Sequence, residues 1–266
     1  MKKSLLLFSL ILSTAFLLTG CLDTEEDVTI NSNGSGIYKT SIDMSGLFDM
    51  MQMAAMMDTS ANSQLKQLGD KNIDSTIAIG AFTDTSSTLT AEERALLHDG
   101  TMHMTINQHD KVFKIVLNYP FKKTEDIQKI MELQQSGKGF DPLGKAKSNP
   151  ALQGLEGDGD GEKGGGLPSA DQYAKTTFKN GVIERKVDQS KIDSLKNSEQ
   201  FGQMQAAGDM LLSGITFTTT IHLPKAVKSS SGSKLTVSDD KKTVRMKYTL
   251  GDMIKTPKSL EFKVEY

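Results

Sequence analysis

Alternating apolar and polar residues predict three β-hairpins along the chain. In the first hairpin, Tyr38 and Thr40 fall on one face of a strand, because successive side chains alternate between its two faces. In the third hairpin, Asn180 and Gly181 form the preferred residue pair for a type I′ turn. Pro120 is expected to end the second hairpin. The predicted strand pairs are 28–31 with 37–44, 101–107 with 112–119, and 176–179 with 182–185.

Apolar residues at helical spacing predict short helices between these hairpins. Thr90 and Glu93 have the spacing of a capping box, so a helix is expected to begin there. The other predicted helices cover 47–57, 125–135, 192–195 and 199–212. Further strands are expected at 73–82, 215–221, 234–238, 243–250 and 260–266. The fold class is therefore α+β, with antiparallel hairpins, a C-terminal meander and a few short helices packed on the sheet.

The N-terminus has the features of a signal peptide over residues 1–20. Lys2 and Lys3 precede an uncharged apolar run, residues 5–18, which is too short to span a bilayer of about 30 Å. The run ends in Leu18-Thr19-Gly20-Cys21, which resembles the lipobox of bacterial lipoproteins. This resemblance implies that Cys21 is diacylated, becomes the first residue after cleavage and often receives a third chain on its amine. The protein is expected to be anchored to a membrane by fatty acids such as palmitate, without spanning it.

An acidic cluster, residues 23–27, follows Cys21 and Leu22. Leu22 in place of Asp implies the outer membrane under the enterobacterial sorting pattern. The cluster resembles the export signal that carries Bacteroidetes lipoproteins to the cell surface, and a solvated acidic tether is an equal alternative. Residues 21–27 are expected to form a short tether, with residues 28–266 as a single α+β domain close to the lipid headgroups.

A Gly-rich stretch interrupts this domain at about residues 136–170. Ten of the residues between 137 and 166 are Gly, so the stretch is predicted to be a flexible insertion. Within it, residues 139–145 match the phosphate-loop spacing, but Ala146 stands where a magnesium ligand is needed. Asp158, Asp160 and Glu162 have calcium-ligand spacing without the required Gly. No cofactor is therefore expected.

Composition and charge exclude several classes of protein. The chain has 266 residues, 31 basic against 33 acidic side chains and one Cys. The balance of charge argues against a nucleic-acid partner, and a single Cys cannot form an internal disulfide. Met102-His103-Met104 could suggest copper, but on a strand His103 faces away from both methionines, so no metal site is expected.

Five methionines near the first predicted helix form the candidate ligand or partner surface. Together with neighbouring apolar residues they make that helix apolar almost all round, which fits either core packing or an adaptable groove for lipid or peptide. The five are Met50, Met51, Met53, Met56 and Met57.

The C-terminal region is the basic part of the chain. Residues 221–266 carry ten basic and five acidic side chains, whereas residues 21–220 carry an excess of nine acidic ones. The C-terminal strands could therefore present a positive face to phosphate-bearing lipid or glycan. Solvated lysines on edge strands are the alternative.

Two stretches of turn and strand residues resemble the LppM-type lipoprotein domain. The first runs from Val28-Thr29-Ile30 through Asn33-Gly34-Ser35-Gly36 to Asp43-Met44-Ser45. The second runs from Ile221-His222-Leu223-Pro224 to residues 239–244. The resemblance implies a membrane-tethered α+β domain with lipid or glycolipid recognition and no established enzyme activity.

No arrangement of His, Asp and Ser and no carboxylate pair can be assigned to a catalytic site. The sequence therefore favours an envelope lipoprotein whose non-catalytic domain binds a lipid, a glycan or another envelope protein. Two alternatives stay open. One is an envelope hydrolase without a recognisable motif, and the other is a purely structural assembly factor.

Overall fold

A computed structural model describes most of the chain that follows Cys21. The described residues are 22–46, 72–136 apart from 85 and 108, 172–198 apart from 180, 201–202 and 209–266. The predicted signal peptide, the predicted helix at 47–57 and most of the predicted Gly-rich insertion lie outside these residues. Those expectations therefore stay predictions.

The described residues form twelve strands and six short α-helices. The strands are β1 (Leu22–Ile30), β2 (Gly36–Asp43), β3 (Ile73–Ala78), β4 (Thr101–Asn107), β5 (Val112–Phe121), β6 (Ala174–Lys179), β7 (Val182–Val187), β8 (Ile215–His222), β9 (Ser229–Ser231), β10 (Leu235–Val237), β11 (Thr243–Thr249) and β12 (Phe262–Glu265). The helices are α1 (Gly80–Thr83), α2 (Ala91–Leu97), α3 (Thr124–Gln135), α4 (Gln189–Lys196), α5 (Asp209–Gly214) and α6 (Leu250–Lys255). A 3₁₀ turn, Pro257–Leu260, precedes β12.

The strands divide between two sheets. The larger sheet has eight strands in the order β10-β11-β8-β1-β2-β5-β4-β3, and the smaller has four in the order β6-β7-β12-β9. Neighbouring strands are antiparallel except β1 and β8, which pair in parallel from Leu22 beside Ile215. The α+β class is confirmed. The last strand, β12, lies in the smaller sheet, because α6 and the 3₁₀ turn carry the chain there.

All three predicted hairpins are present, with one correction at Pro120. Gly181 has a φ of 73°, the left-handed conformation that its turn requires. Pro120 does not end its strand, because β5 continues to Phe121 and Pro120 pairs with Ile37 of β2. On its other side β4 pairs with β5 only as far as Asn118. Pro120 therefore occupies a locally open strand edge, where its missing N–H costs no ladder hydrogen bond.

The two sheets bury their facing sides against each other around Arg185 of β7. Its side chain is 0% exposed and donates from Nη2 to Glu26 Oε2 of β1 at 3.1 Å. Nη1 donates to the hydroxyls of Thr219 at 3.2 Å and Tyr248 at 3.4 Å, in β8 and β11. Nε donates to Thr176 Oγ1 of β6 at 2.8 Å. One buried cation therefore connects three strands of the larger sheet to the smaller one.

The structure corrects the expected acidic tether. Residues 22–27 form two thirds of β1, which lies between β8 and β2 in the middle of the larger sheet. Leu22, Thr24 and Glu26 are buried, and the intervening side chains lie on the opposite face. The strand begins six residues earlier than predicted, because Arg185 and Thr219 compensate the buried Glu26 carboxylate.

Deleting residues 22–27 is expected to abolish cooperative folding. A chain that starts at Val28 lacks most of a central strand and leaves Arg185 without its carboxylate. A chain that starts at Leu22 keeps every contact described above and is the control. Thermal unfolding followed by circular dichroism separates them. If the melting temperatures of the two chains lie within a few degrees of each other, the placement of β1 is contradicted.

Replacing Arg185 with Met is expected to destabilise the protein by about 3–5 kcal/mol, because it leaves the Glu26 charge buried and unpaired. Urea unfolding measures the change. The double variant Glu26→Leu with Arg185→Met should recover most of the loss, since it removes both charges. Lys186→Met, the exposed neighbour on β7, is the matched control and should stay within about 0.5 kcal/mol of the wild type.

Candidate functional site: a groove between two helices

The first wall of the groove is α2, whose position is fixed at its N-terminus. Thr90 Oγ1 accepts from the Glu93 N–H at 3.2 Å, and the Glu93 carboxylate accepts from the Thr90 N–H at 2.7 Å. The predicted capping box is confirmed, and it satisfies two N–H groups that the helix leaves free. Arg94 donates to the carbonyl oxygens of Ser86 and Leu89, which fixes the preceding loop.

The second wall is α3, which lies close to the predicted range. The Asp126 carboxylate accepts from the Lys123 N–H at 3.0 Å at the start of the helix. Ile127, Ile130 and Met131 are buried, as the helical spacing predicts. Leu133 is also buried, so the apolar face of α3 packs inward while another face borders the groove.

The groove between these helices encloses about 580 Å³. Its apolar lining comes from Ala95, Leu96, Pro120 and Leu133. Seven charged side chains also line it: Glu92, Glu93, Asp99, Asp126, Glu132, Lys122 and Lys129. Five carboxylates against two amines give this groove, which we call the α2–α3 groove, an apolar lining with an acidic excess.

One ion pair connects the two walls. Lys129 Nζ of α3 donates to Glu92 Oε1 of α2 at 2.6 Å. This hydrogen bond lowers the pKa of the Glu92 carboxyl and raises the pKa of the Lys129 amine. Both groups are solvated, so the pair adds little to stability. The pair places one ammonium group against one carboxylate of the groove.

The other carboxylates of the groove differ in the hydrogen bonds and ion pairs that they already make. Glu93 and Asp126 accept the N-terminal hydrogen bonds of their own helices. Glu132 accepts from Gln128 at 2.8 Å and lies 3.6 Å from the Lys175 amine. Asp99 has no hydrogen-bond partner among the residues that the structure describes, and it is exposed. Both contacts of Glu132 are made by its Oε1, so the Asp99 carboxylate and the second oxygen of Glu132 are best placed to meet a ligand.

The C-terminal end of α2 is held by His98. Its Nδ1 lies 3.0 Å from the Asp84 carboxylate, just after α1. Gly80 permits this approach, since a Cβ there would lie 2.6 Å from the His98 carbonyl oxygen. The hydrogen bond and charge of Asp84 raise the pKa of His98 above its ordinary value of 6.5. The pair therefore links the end of α2 to α1 most strongly when His98 is protonated.

The α2–α3 groove lies at the end of the larger sheet opposite Leu22. The C-terminal end of β1, at Ile30, pairs with Gly36, which in turn pairs with Phe121, next to the groove residues Pro120 and Lys122. The eight residue steps along β1 correspond to about 26 Å at roughly 3.3 Å per residue. The start of β1 and the groove are therefore separated by the length of the sheet.

A smaller cavity of about 270 Å³ lies between α3 and β6. Its lining includes Met131 and Glu132 of α3, Lys175 of β6, and Asp188 and Lys191 at the start of α4. Glu132 borders both cavities. This second space is less than half as large as the α2–α3 groove and carries both signs of charge.

The residues that the sequence proposed as functional lie outside the described part of the chain. Cys21 lies one residue before the described chain, whose first residue, Leu22, starts β1. Met50, Met51, Met53, Met56 and Met57 lie outside the described residues, so their surface stays a prediction.

The alternation predicted for the Met-His-Met stretch is confirmed. Met102 and Met104 are buried in the core, whereas His103 lies on the other face of β4, against Asp74 and Thr76 of β3. Among the described residues there is no group of three His, Cys, Asp or Glu side chains that could hold a metal ion.

The basic residues of the C-terminal region divide between two sheets instead of sharing one face. Arg245 and Lys247 lie on the exposed side of β11 in the larger sheet, and Lys263 lies in β12 of the smaller sheet. Lys263 pairs with Glu265 at 2.7 Å, and Lys234 pairs with Asp252 at 2.8 Å. A single phosphate-binding face is therefore not formed by these strands.

Sequence reasoning missed the α2–α3 groove. Glu92 and Lys129 are 37 residues apart, and nothing in their local patterns places them together. The available signals were the acidic first turn of α2 and the polar side of the amphipathic α3. These signals mark solvated helix surfaces in general, so they could not identify a shared groove.

Comparisons with known proteins give one solved structure. No protein-family model matches the chain, and no curated protein matches it. The chain is similar to the NMR structure of the folded domain of LppM from Mycobacterium tuberculosis, at 8% identity and a TM-score of 0.39, over 94% of this chain and 92% of that one.

None of the helices in the described part of the chain is long and apolar enough to cross a membrane.

We expect the pKa of His98 to lie above 6.5 in the folded protein and to fall when Asp84 is changed to Asn. Since the folded-state pKa is raised, the pair stabilises the fold below the unfolded pKa and loses this contribution as pH rises through the folded pKa. NMR titration of the His98 ring measures both values. An unchanged His98 titration in Asp84→Asn would contradict the pairing.

Proposed function

We propose that this protein is a cell-envelope lipoprotein, anchored through acyl chains on Cys21, whose α+β domain is a non-catalytic binding module. The lipobox-like Leu18-Thr19-Gly20-Cys21 supports the anchor. The observation that carries the binding role is the α2–α3 groove. Its volume of about 580 Å³ lies within the range of about 300–1,000 Å³ that is typical of ligand sites, and its lining combines apolar and charged side chains.

The start of β1 at Leu22 determines how the domain meets the membrane. Cys21 immediately precedes a buried strand residue, and one residue spans no more than about 3.6 Å. Acyl chains on Cys21 therefore bring the start of β1 against the headgroups without a spacer. The strand is tied on both sides to β8 and β2, so the domain follows the anchor closely.

The groove then faces away from the anchoring membrane. It lies at the other end of a strand about 26 Å long, at roughly 3.3 Å per residue. A ligand in the groove approaches from the aqueous side, and the bilayer that holds the acyl chains does not supply it. We therefore propose an envelope protein as the partner, in preference to a lipid of the same membrane.

For the location we propose the outer membrane, on the ground that Leu22 follows Cys21. Display at the cell surface depends on the acidic residues 23–27. In the folded domain these residues belong to a central strand with Glu26 buried, so an export factor reads them only before β1 has paired.

The Cys21→Ser variant tests the anchor. Cells grown with radiolabelled palmitate should label the wild-type protein and not the variant, because Cys21 is the only thiol in the chain. The wild type should sediment with membranes, and the variant should lose its acyl attachment. The matched control is Cys21→Ser combined with Ser230→Cys, which returns a thiol at an exposed position of β9.

This control should stay unlabelled, since acylation requires the lipobox position and not simply a thiol. Equal labelling of wild type and Cys21→Ser would refute the anchor. The wild type could also be labelled and yet be removed from membranes by 0.5 M salt. Because salt screens exposed charges, this result would show that surface charge, and not the acyl chains, attaches the protein.

A further inference from the structure

We infer that the α2–α3 groove binds a basic amphipathic peptide segment of a partner protein. The inference deepens the proposed function by naming the chemistry of the partner, and it rests on that function only for the orientation of the groove. Four observations carry it: the facing helix surfaces, the excess of carboxylates, the ammonium already bound there, and the distance from the start of β1.

Each helix contributes one continuous stripe to the groove. On α2, Glu92, Ala95 and Leu96 recur at intervals of three or four residues, and Asp99 follows just after the helix end. On α3, the lining residues run from Asp126 to Ser136 with the same spacing. Residues three or four apart lie on one side of a helix, so each stripe is a single surface.

The stripe on α3 sets the size of the segment that fits. Ten residue steps from Asp126 to Ser136 measure about 15 Å at roughly 1.5 Å per residue. An extended peptide covers this distance with about five residues. Such a peptide alternates its side chains, so apolar residues contact Leu96 and Leu133 while the others point to the rim.

The charges decide which peptide is favoured. Five carboxylates and two amines attract cations and repel acidic segments and anionic headgroups. Lys129 shows the mode of contact, since its ammonium lies 2.6 Å from Glu92 across the groove. A lysine of the peptide would meet Asp99 or Glu132 in the same way.

Lys129 also competes with such a ligand. It occupies Glu92 and adds a positive charge to the groove. Removing its amine should therefore strengthen the binding of a basic peptide. A purely structural role for the ion pair predicts the opposite, because loss of the pair would loosen the two walls.

The test uses full-length lipidated protein in phosphatidylcholine nanodiscs. The probe is a dye-labelled ten-residue peptide of alternating Lys and Leu, and empty nanodiscs are the blank. Fluorescence anisotropy should show binding that is absent for the same peptide with Glu in place of Lys. The affinity should fall at 0.5 M salt, where exposed ion pairs are screened.

Two sets of variants locate the binding. Asp99→Lys with Glu132→Lys should weaken it about tenfold, since two attractions become repulsions. Asp193→Lys with Asp239→Lys changes the net charge by the same amount at exposed sites outside the groove. This control should change the affinity for the peptide little. Lys129→Met should tighten it about threefold.

Other outcomes overturn the inference. These are equal binding of the Glu peptide, equal loss in the control variant, or weaker binding by Lys129→Met. Vesicles of a trimethylammonium lipid that bind while the peptide does not would assign the groove to a lipid surface. If the peptide binds only after residues 137–171 are deleted, the groove would be assigned to the chain's own Gly-rich segment.

The use of nanodiscs distinguishes a failure of this inference from a failure of the proposed anchor. Protein that enters nanodiscs through its acyl chains but binds no peptide refutes only the peptide inference. Protein that fails to enter them refutes the anchor, and the peptide can still be titrated against it in solution.

Discussion

The buried pair of Arg185 and Glu26 is the constraint that connects the two sheets, because a chain that carries either charge must place the other beside it. Both side chains are buried, so each charge is stable in the protein interior only because the other is present. The guanidinium also lies 5.7 Å from the centre of the Phe262 ring in β12. Because its donors have fixed directions, Arg185 fixes how the side chains that it contacts in the two sheets lie relative to one another. The pairing therefore places β1 of the larger sheet against β7 of the smaller one.

The local elements of the fold could be predicted because short-range chemistry determines them. Gly181 supplies the left-handed turn of one hairpin, and Thr90 with Glu93 caps α2. The failures have a common origin in partners that are distant in the sequence. From the sequence alone Glu26 belongs to a solvated acidic cluster, because its partner Arg185 is 159 residues away along the chain. From the sequence alone Pro120 indicates the end of a strand, because the sequence does not show that β4 pairs with β5 only as far as Asn118.

The groove illustrates the same limit for function. Its carboxylates are ordinary helix-surface residues when each helix is considered alone, and only the packing of α2 beside α3 gives them a shared apolar lining. The basic C-terminal residues show the reverse case. A strong excess of charge in the sequence is dispersed when β11 and β12 enter different sheets. Net charge over a stretch of sequence therefore predicts a binding surface only when the topology keeps that stretch together.

The parallel pairing of β1 with β8 has a consequence for biogenesis. Leu22 meets Ile215 only after nearly two hundred intervening residues have been made, and contacts of such long range form late in folding. Until then the β8 side of β1 stays unpaired, while β2 can already pair with its other side. The proposed cleavage and acylation at Cys21 would therefore act beside a strand that has at most one partner, and the segment that the modifying enzymes need would be enclosed in the sheet once synthesis and translocation are complete.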